Sequence, residues 1–315
     1  MNPPLISIII PVYNRESLIK ETLDSILVQT YKNWECIIVD DGSDDNTENI
    51  ISEYIKRDNR FQFYKRPETM IKGANSCRNY GFSLSNGEWV KWLDSDDLMY
   101  IDSMDIESKL MKGYSNVILS PLVLYDFDQK KEIKKSNIFS ADLIHDYFIA
   151  KVALYVSGPL WERKFLNKQE YLFDENISNV DDWDFNMRML YKKPIIRYNE
   201  KPTILYRLHN DSLSQEIKKG NKKEIISVLN ALEKHLKLIR INKITPYKPL
   251  LGYAVKYYKT EIYNSLRSNK DYSFYIYSRL AKIHFLNFYN FRELIKVSLG
   301  FLVYKVCNKG YVFFK

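Results

Sequence analysis

The chain has 315 residues, of which 45% are hydrophobic and 27% charged, and its net charge is +8. This composition supplies a hydrophobic core and excludes a globally disordered chain, while only 10 glycines and 10 prolines exclude a collagen-like chain or a long flexible linker. Three dispersed cysteines make a disulfide scaffold unexpected and favour a reducing compartment.

The first hundred residues alternate between strand and helix patterns. Strands are predicted for four apolar or aromatic runs: Leu5–Val12, Trp34–Asp40, Phe61–Lys65 and Glu88–Leu93. Helices are predicted between them, over Arg15–Thr30, Thr47–Arg57 and Ala74–Ser85. Asn14 is the expected N-cap of the first helix. This βαβαβαβ order predicts an α/β fold with a doubly wound, mostly parallel sheet.

The pattern changes after residue 110. A strand is predicted over Asn116–Tyr125, helices over Ala141–Ala150 and Asp182–Tyr191, and short strands over Ile195–Tyr198 and Thr203–Leu208. From Lys218 onward only helical patterns are found, including Leu250–Leu266, Tyr272–Phe285 and Phe291–Val306. The N-terminus lacks a secretory signal pattern, and no apolar run approaches the roughly 20 residues of a membrane-spanning helix. We therefore expect a cytoplasmic protein.

Acidic residues follow two of the predicted strands, as Asp40-Asp41 and as Asp94-Ser95-Asp96-Asp97. Ligands of open α/β sheets bind at the carboxyl ends of the strands, so five carboxylates are expected at one edge. Their mutual repulsion calls for a cation. Each motif also has a structural interpretation, because DDGS is a common turn and acids are favoured at a helix N-terminus.

Five ordered motifs together resemble the inverting, GT-A-type glycosyltransferases of family 2. They are SIIIPVYNRE, QTYKNWECIIVDDGSDDNT, CRNYGFSLSNGEWVKWLDSDD, VDDWDFNMRM and YRLHNDSLS, and they cover about the first two thirds of the chain. The resemblance implies a GT-A fold, a nucleotide-diphosphate sugar donor, usually a UDP-sugar, and a divalent metal. It does not specify the sugar.

The resemblance also implies roles for residues at the strand ends. Pro11, Val12 and Tyr13 would form the wall that holds the base, and Asp41 would accept a hydrogen bond from its N3–H, for which a carboxylate is a strong acceptor. Asp94 would lie near the ribose and the sugar.

A metal, Mn²⁺ or Mg²⁺, is implied at Asp96, the second acid of the family's Asp-x-Asp motif. His209 matches a position that supplies a further metal or diphosphate contact in related enzymes, and an imidazole ligand would favour Mn²⁺. A lone histidine is more commonly a satisfied surface or core group. Asp97 is expected to support the loop.

Asp182 is the general base that the resemblance implies. The family's usual pair is Glu-Asp, whereas this chain has Asp181-Asp182 and keeps the catalytic position. A carboxylate within hydrogen-bond reach of a sugar hydroxyl can take its proton during attack. The alternative is that Asp181, Asp182 and Asp184 cap the helix that begins here.

Cations are needed near the diphosphate, and Arg66, Lys72 and Arg78 are the candidates. Arg78 could contact the diphosphate or pair with an acid of DDGS. Trp161 and Trp183 could stack on a sugar or belong to the core.

The predicted domains are a GT-A domain over 1–215, with a donor-binding half (1–110) and an acceptor and base half (111–215), and a helical region over 216–315. Residues 211–315 contain 20 Lys and Arg but 7 Asp and Glu, net +13, whereas residues 1–210 are net −5. Basic, aromatic helices bind anionic membranes or nucleic acid, or form a solvated bundle. We expect no nucleic-acid partner and a peripheral location on the inner face of the cell membrane as one possibility.

The expected function is metal-dependent, inverting transfer of a sugar to a hydroxyl of a glycan or lipid-linked glycan, in assembly of a surface polysaccharide such as capsule or lipopolysaccharide. A sugar nucleotidyltransferase is an alternative. It would be expected to carry a glycine-rich loop with Arg or Lys after the first strand, and it is disfavoured because that segment, PVYNRES, lacks glycine. A non-catalytic membrane-surface adaptor is the other, disfavoured because Asp96 and Asp182 are both present.

Overall fold

The computed structural model describes residues 3–111, 113–208, 216–217, 219–287 and 289–314. The chain divides into two compact units, Met1–Ser212 and Leu213–Lys315. The assignment of donor and acceptor halves to 1–110 and 111–215 stays a prediction.

The N-terminal unit contains eleven strands and seven helices among its described residues. The strands are β1 (Ile6–Val12), β2 (Trp34–Asp40), β3 (Phe61–Lys65), β4 (Trp89–Trp92), β5 (Leu98–Met99), β6 (Val117–Leu119), β7 (Leu122–Asp126), β8 (Lys131–Lys135), β9 (Pro159–Glu162), β10 (Ile196–Tyr198) and β11 (Ile204–Leu208). The helices are α1 (Ile19–Leu27), α2 (Thr47–Arg57), α3 (Ala74–Leu84), α4 (Ser103–Leu110), α5 (Leu143–Phe148), α6 (Arg163–Leu166) and α7 (Asp181–Tyr191).

Seven strands form the main sheet in the order β10-β6-β9-β4-β1-β2-β3. Every residue of β1 and β2 is buried, as their continuous apolar sequences predict for strands covered on both faces. All neighbours pair in parallel except β9, which lies antiparallel between β4 and β6. The predicted doubly wound, mostly parallel sheet is confirmed.

The predicted strand over Asn116–Tyr125 is wrong, because it is two strands in two sheets. β6 belongs to the main sheet, whereas β7 belongs to a second sheet of order β5-β11-β7-β8. Pro121 lies between them and cannot donate a hydrogen bond to a strand ladder. The chain therefore changes sheets at this residue.

The predicted start of the first helix is also wrong. Asn14 has φ +48° and does not cap a helix, and α1 begins at Ile19. The Asn14 side chain instead exchanges two hydrogen bonds with Asp44, donating at 2.7 Å and accepting from its amide at 3.0 Å. The segment after β1 is thus tied to the loop after β2.

The C-terminal unit is helical throughout its described residues, as the sequence predicts. Its helices are α8 (Lys222–Asn242), α9 (Tyr247–Arg267), α10 (Ser273–Asn287) and α11 (Phe291–Cys307), followed by a 3₁₀ turn at Tyr311–Phe314. The periodic apolar residues of α8, including Ile225, Leu229 and Leu236, are buried. No helix in the described ranges is both long enough and apolar enough to cross a bilayer.

Candidate active site

The carboxyl ends of β1, β2 and β4 form the candidate site. The chain places β2 and β3 on one side of β1 and β4 on the other, so the topological switch point lies between β1 and β4. The β1–β4 pairing ends at Ile9 and Trp92, two residues before Pro11. Because Pro11 has no amide hydrogen to lose, the strands can separate here without an unpaired donor. Open α/β sheets bind ligands in such a crevice.

The end of β2 divides its two acids between different tasks. The Asp40 carboxylate accepts hydrogen bonds from the amides of Gly42 and Ser43, at 3.1 and 3.0 Å, and from the Ser43 hydroxyl at 2.5 Å, and so shapes the turn. Asp41 faces the neighbouring loop, where its Oδ1 accepts from Arg66 Nε at 2.5 Å and from the Gly73 amide at 3.1 Å. Its Oδ2 accepts no hydrogen bond from any described residue.

The predicted base wall is exposed only at its last residue. Val12 packs into the hydrophobic core, and its carbonyl accepts the Asp41 amide at 2.9 Å. Pro11 is likewise buried in β1. The Tyr13 ring is 42% exposed, and Lys72 Nζ lies 4.3 Å from its centroid. This pair offers an aromatic surface and a cation at one position.

The segment Asp94–Asp97, which follows β4, is called the acidic loop here. Asp97 is buried, with its carboxylate accepting from the Ser157 hydroxyl at 2.8 Å and from the Arg207 amide at 3.2 Å. Ser157 Oγ also accepts the Asp94 amide at 3.3 Å. Asp96 lies 3.6 Å from an Arg15 nitrogen. Asp97 therefore anchors the loop, while Asp94 and Asp96 present carboxylates.

Arg78 connects the acidic loop to the start of α7. Its guanidinium donates to Asp94 at 2.8 Å and to Asp181, and it also donates to Asn75 at 3.0 Å. The suggested pair with an acid of DDGS is wrong, because Arg66 makes that pair. Burial lowers the pKa of Arg78, but Asp181 and Asp94 more than offset it, so the pKa is raised and the charge is fixed.

Asp182 lies beside this cluster in the first turn of α7. Burial raises its pKa to about 7, with further increases from Asp181 and Asp94 and decreases from the Trp183 amide and Arg78. Val180, the residue before the helix, has φ +58°, which is costly for a β-branched side chain. Asp184, by contrast, is buried and pairs with Arg188 at 2.9 Å.

The acidic loop has the donor chemistry for a hard divalent cation. Burial raises the pKa of Asp94; Arg78 lowers it, and the charge of Asp96 raises it again. A cation between Asp94 and Asp96 would offset that repulsion, and carboxylate oxygens suit Mg²⁺ and Mn²⁺. No group of three or more His, Cys, Asp or Glu side chains within the described residues is arranged to hold a metal. His209, the other predicted ligand, lies outside the described residues.

Two of the candidate cations are engaged by the fold. Arg66 donates to Asp41 and to the carbonyls of Pro67 and Met70, at 2.9 and 2.5 Å, and so holds the loop after β3. Arg78 is held between carboxylates. Lys72 is the exposed cation of the three. Sequence reasoning missed Arg15, which faces Asp96 at 3.6 Å and lies within the first motif.

Trp161 and Trp183 differ in burial. Trp161 is buried in β9 and stacks on Phe165 with centroids 5.6 Å apart, so it belongs to the core. Trp183 is half-buried, and its Nε1 donates to the Tyr147 carbonyl at 3.3 Å. Sequence reasoning also missed the roles of Ser157 and of Arg207, which lies in the last motif, because their partners come from distant segments.

A family sequence model described as Glycosyl transferase family 2 matches residues 7–181, more than half of the chain. The chain belongs to glycosyl transferase family 2. An uncharacterized glycosyltransferase of Rickettsia typhi is 32% identical over 213 residues, which are 66% of this chain and 65% of that relative. This family 2 chain therefore spans just under two thirds of the relative's length.

Two solved structures resemble the family 2 chain in fold. Staphylococcus aureus TarS 1–349 in complex with UDP-GlcNAc has a TM-score of 0.60 and 18% identity, over 79% of this chain and 70% of TarS. The mannosyltransferase PcManGT of Pyrobaculum calidifontis, in complex with GDP-Man and Mn²⁺, has a TM-score of 0.56 and 14% identity, over 98% of this chain and 89% of its own. The predicted GT-A fold is confirmed.

Proposed function

We propose that this family 2 chain is a metal-dependent, inverting glycosyltransferase that moves a sugar from a nucleotide-diphosphate donor, preferably a UDP-sugar, to a hydroxyl of a glycan or lipid-linked glycan. The observation that carries the proposal is Asp182, a carboxylate with a pKa near 7 beside the donor-side acids at the switch point. Surface polysaccharide assembly in the cytoplasm is the proposed setting.

The proposed reaction is a single displacement at the anomeric carbon. The acceptor oxygen forms a bond to that carbon and gives its proton to the Asp182 carboxylate, while the bond to the diphosphate oxygen breaks and its electron pair leaves with the nucleotide. Attack opposite the leaving group inverts the anomeric configuration. A base whose pKa lies near the working pH combines a useful deprotonated fraction with a strong drive to accept the proton.

The donor is proposed to bind along the ends of β1 and β2. Asp41 Oδ2 is the acceptor for the base N3–H, because Arg66 and Gly73 fix the carboxylate through its other oxygen. Tyr13 supplies an aromatic surface and Lys72 a cation for the diphosphate. The TarS complex with UDP-GlcNAc supports UDP, whereas the PcManGT complex with GDP-Man keeps GDP as the second candidate.

Asp96 is the proposed metal ligand, with His209 as a second, and Asp94 is proposed to lie near the ribose and sugar. When bound, Mn²⁺ or Mg²⁺ would neutralise charge on the diphosphate. Arg78 pairs with Asp94 at 2.8 Å and an Arg15 nitrogen lies 3.6 Å from Asp96, so each carboxylate faces a cationic side chain before any ligand arrives.

The donor assignment is tested by thermal unfolding with UDP, GDP, CMP and ADP, each with and without Mn²⁺. A ligand that binds only the folded state raises the melting temperature. We expect a Mn²⁺-dependent increase with UDP that Asp96→Ala largely removes and that the exposed-site control Asp102→Asn retains. An increase with GDP alone would change the donor class, and no increase with any nucleotide would contradict the proposal.

The base assignment is tested with Asp182→Asn. We expect turnover to fall by about a thousandfold or more, because general bases contribute roughly 10²–10⁴ to the rate. The increase in melting temperature that UDP causes should equal that of the wild type within experimental error. Asp102→Asn, the same change on an exposed loop, should keep full turnover. Near-normal turnover of Asp182→Asn would exclude this residue as the base.

The products distinguish the alternative functions. A glycosyltransferase releases UDP from a UDP-sugar, whereas a nucleotidyltransferase would release pyrophosphate from UTP and a sugar phosphate. A non-catalytic adaptor would bind anionic vesicles and ignore every nucleotide sugar.

A further inference from the structure

Helix α11 exposes a continuous apolar stripe. Phe291, Ile295, Leu299, Leu302 and Val306 are between 42% and 83% exposed, although each is a large hydrophobic residue. At about 100° per residue these five side chains fall within an arc of about 80°, and they extend over about 22 Å of helix. The opposite face, with Leu294, Val297 and Phe301, is buried. Helix α11 therefore has two apolar faces, and the described residues cover only one of them.

The stripe continues onto α10. Phe285 and Leu286 are 60% and 59% exposed, and the Phe285 ring lies 5.6 Å from that of Phe291. Isolated exposed apolar residues are ordinary, but a contiguous patch on two helices marks an interaction surface. We call the residues Phe285, Leu286, Phe291, Ile295, Leu299, Leu302 and Val306 the α10–α11 stripe.

Basic residues border the stripe on both sides. The helical period places Lys305 on one side and Arg292 and Lys296 on the other, and all three are exposed. Between Ser273 and Phe314 the sequence has six Lys and Arg and one acid, Glu293. The Glu293 carboxylate is half-buried and pairs with Lys259 at 2.7 Å, so it does not offset the exposed cations.

We propose that the α10–α11 stripe is a docking surface for an anionic lipid bilayer, with α11 lying in the plane of the interface. An apolar face between rows of Lys and Arg is the arrangement by which amphipathic helices bind such interfaces, with the apolar residues among the acyl chains and the cations at the headgroups. A second copy of the chain fits less well, because pairing two stripes would bring the cations of both copies together without acids to compensate. The proposal extends the predicted membrane partner to named residues and supports a lipid-linked acceptor.

The test measures co-sedimentation of the full chain with vesicles of phosphatidylcholine alone or mixed with phosphatidylglycerol. Wild type should bind the anionic vesicles, and binding should weaken with salt. The triple variant Ile295→Ser, Leu299→Ser, Leu302→Ser should reduce the bound fraction at least about tenfold. A serine side chain gains far less free energy than isoleucine or leucine when it moves from water into the acyl chains. The matched control replaces three exposed isoleucines of the N-terminal unit: Ile101→Ser, Ile133→Ser, Ile195→Ser. It should bind as wild type does.

A second variant separates docking from folding. Lys296→Glu with Lys305→Glu keeps the apolar stripe and should abolish the preference for anionic vesicles; circular dichroism should show unchanged helix content. Wild type that ignores anionic vesicles, or a triple variant that binds like wild type, would overturn the proposal. The proposal would also be overturned if the wild type formed a dimer and did not bind vesicles, and if the triple variant were a monomer. Vesicle binding needs no donor and the UDP shift needs no vesicles, so the two proposals fail separately.

Discussion

Asp182 is a buried carboxylate with two other carboxylates nearby. Burial is the main reason that its pKa is raised; Asp181 and Asp94 raise it further, and the Trp183 amide and Arg78 lower it. Such costly arrangements concentrate at functional sites, where a perturbed pKa serves the chemistry. The strained φ of Val180 directly before this helix indicates that the surrounding structure enforces the position.

The pH dependence of turnover follows from that pKa. The base works only when deprotonated, so kcat/KM should fall about tenfold per unit as the pH drops below about 7. A cation bound near Asp94 would lower the pKa of Asp182. The midpoint of the pH profile with donor and metal bound should therefore lie at or below that of the free enzyme. The measurements are kcat/KM, which reports the free enzyme, and kcat, which reports the complex with donor and metal, from pH 5 to 9. Asp102→Asn should reproduce the wild-type profile, and a flat acidic side would argue against a carboxylate base at this site.

Single residues with a local motif could be anticipated, whereas their partners could not. Asp41, Asp94, Asp96 and Asp182 follow strands or open a helix, and a pattern of that kind is visible in one sequence. That Arg78 bridges Asp94 and Asp181 depends on residues 16 and 103 positions away. Long-range pairing of this kind leaves no periodic signal, so the partners of Arg78 could be found only in the structure.

At the scale of elements, a buried ion pair joins β4 to α4. Lys91 and Glu107 are fully buried, and their charged groups lie 3.0 Å apart. Lys91 also donates to the carbonyls of Ser157 and Gly158 at 3.1 and 3.4 Å. Ser157 in turn donates to Asp97, so the pair fixes the segment before β9 against the acidic loop.

Breaking this pair should be costly. Lys91→Met leaves Glu107 charged and buried without its cationic partner, with only the Ser120 hydroxyl still donating to it at 2.8 Å, and should reduce the free energy of unfolding by about 3–5 kcal/mol. Adding Glu107→Leu should recover at least half of that loss, because no unpaired charge remains. The measurement is urea unfolding of both variants and of Glu107→Leu alone.

The exposed pair Lys109–Asp105, at 2.8 Å, is the matched control. Lys109→Met should change the free energy of unfolding by roughly 0.5 kcal/mol or less. A double variant as unstable as the two single losses added together would contradict the coupling.

Elements with a strong period were predictable from the sequence, and elements that depend on tertiary context were not. The bounds of β2, α2 and β3 agree with the prediction residue for residue, since each is a clear pattern between turn residues. β9 was missed because a four-residue antiparallel strand inserted between β4 and β6 has no pattern of its own. The same holds for β5, which has two residues and, among the described strands, pairs only with β11.

At the scale of the whole molecule, the C-terminal part of the chain differs from the N-terminal part in net charge. Residues 211–315 carry net +13 and residues 1–210 net −5. The sequence predicts an all-helical, basic, aromatic region, but not which of its apolar residues face outward. That distinction needed the packing of α11, where period alone would place either face in the core. The residues of the proposed membrane surface therefore could not have been named from the sequence alone.

The order of the strands along the chain has a consequence during synthesis. β10 pairs with β6, and β11 pairs with β5 and β7, so every pairing of the described strands is available once residue 208 has been made. Residues 209–290, 82 in number, precede α11 and take roughly 4–16 s to translate at about 5–20 residues per second. Parallel pairings close long loops and form slowly. The sheet therefore has several seconds in which to assemble before the exposed apolar residues of α11 are synthesised.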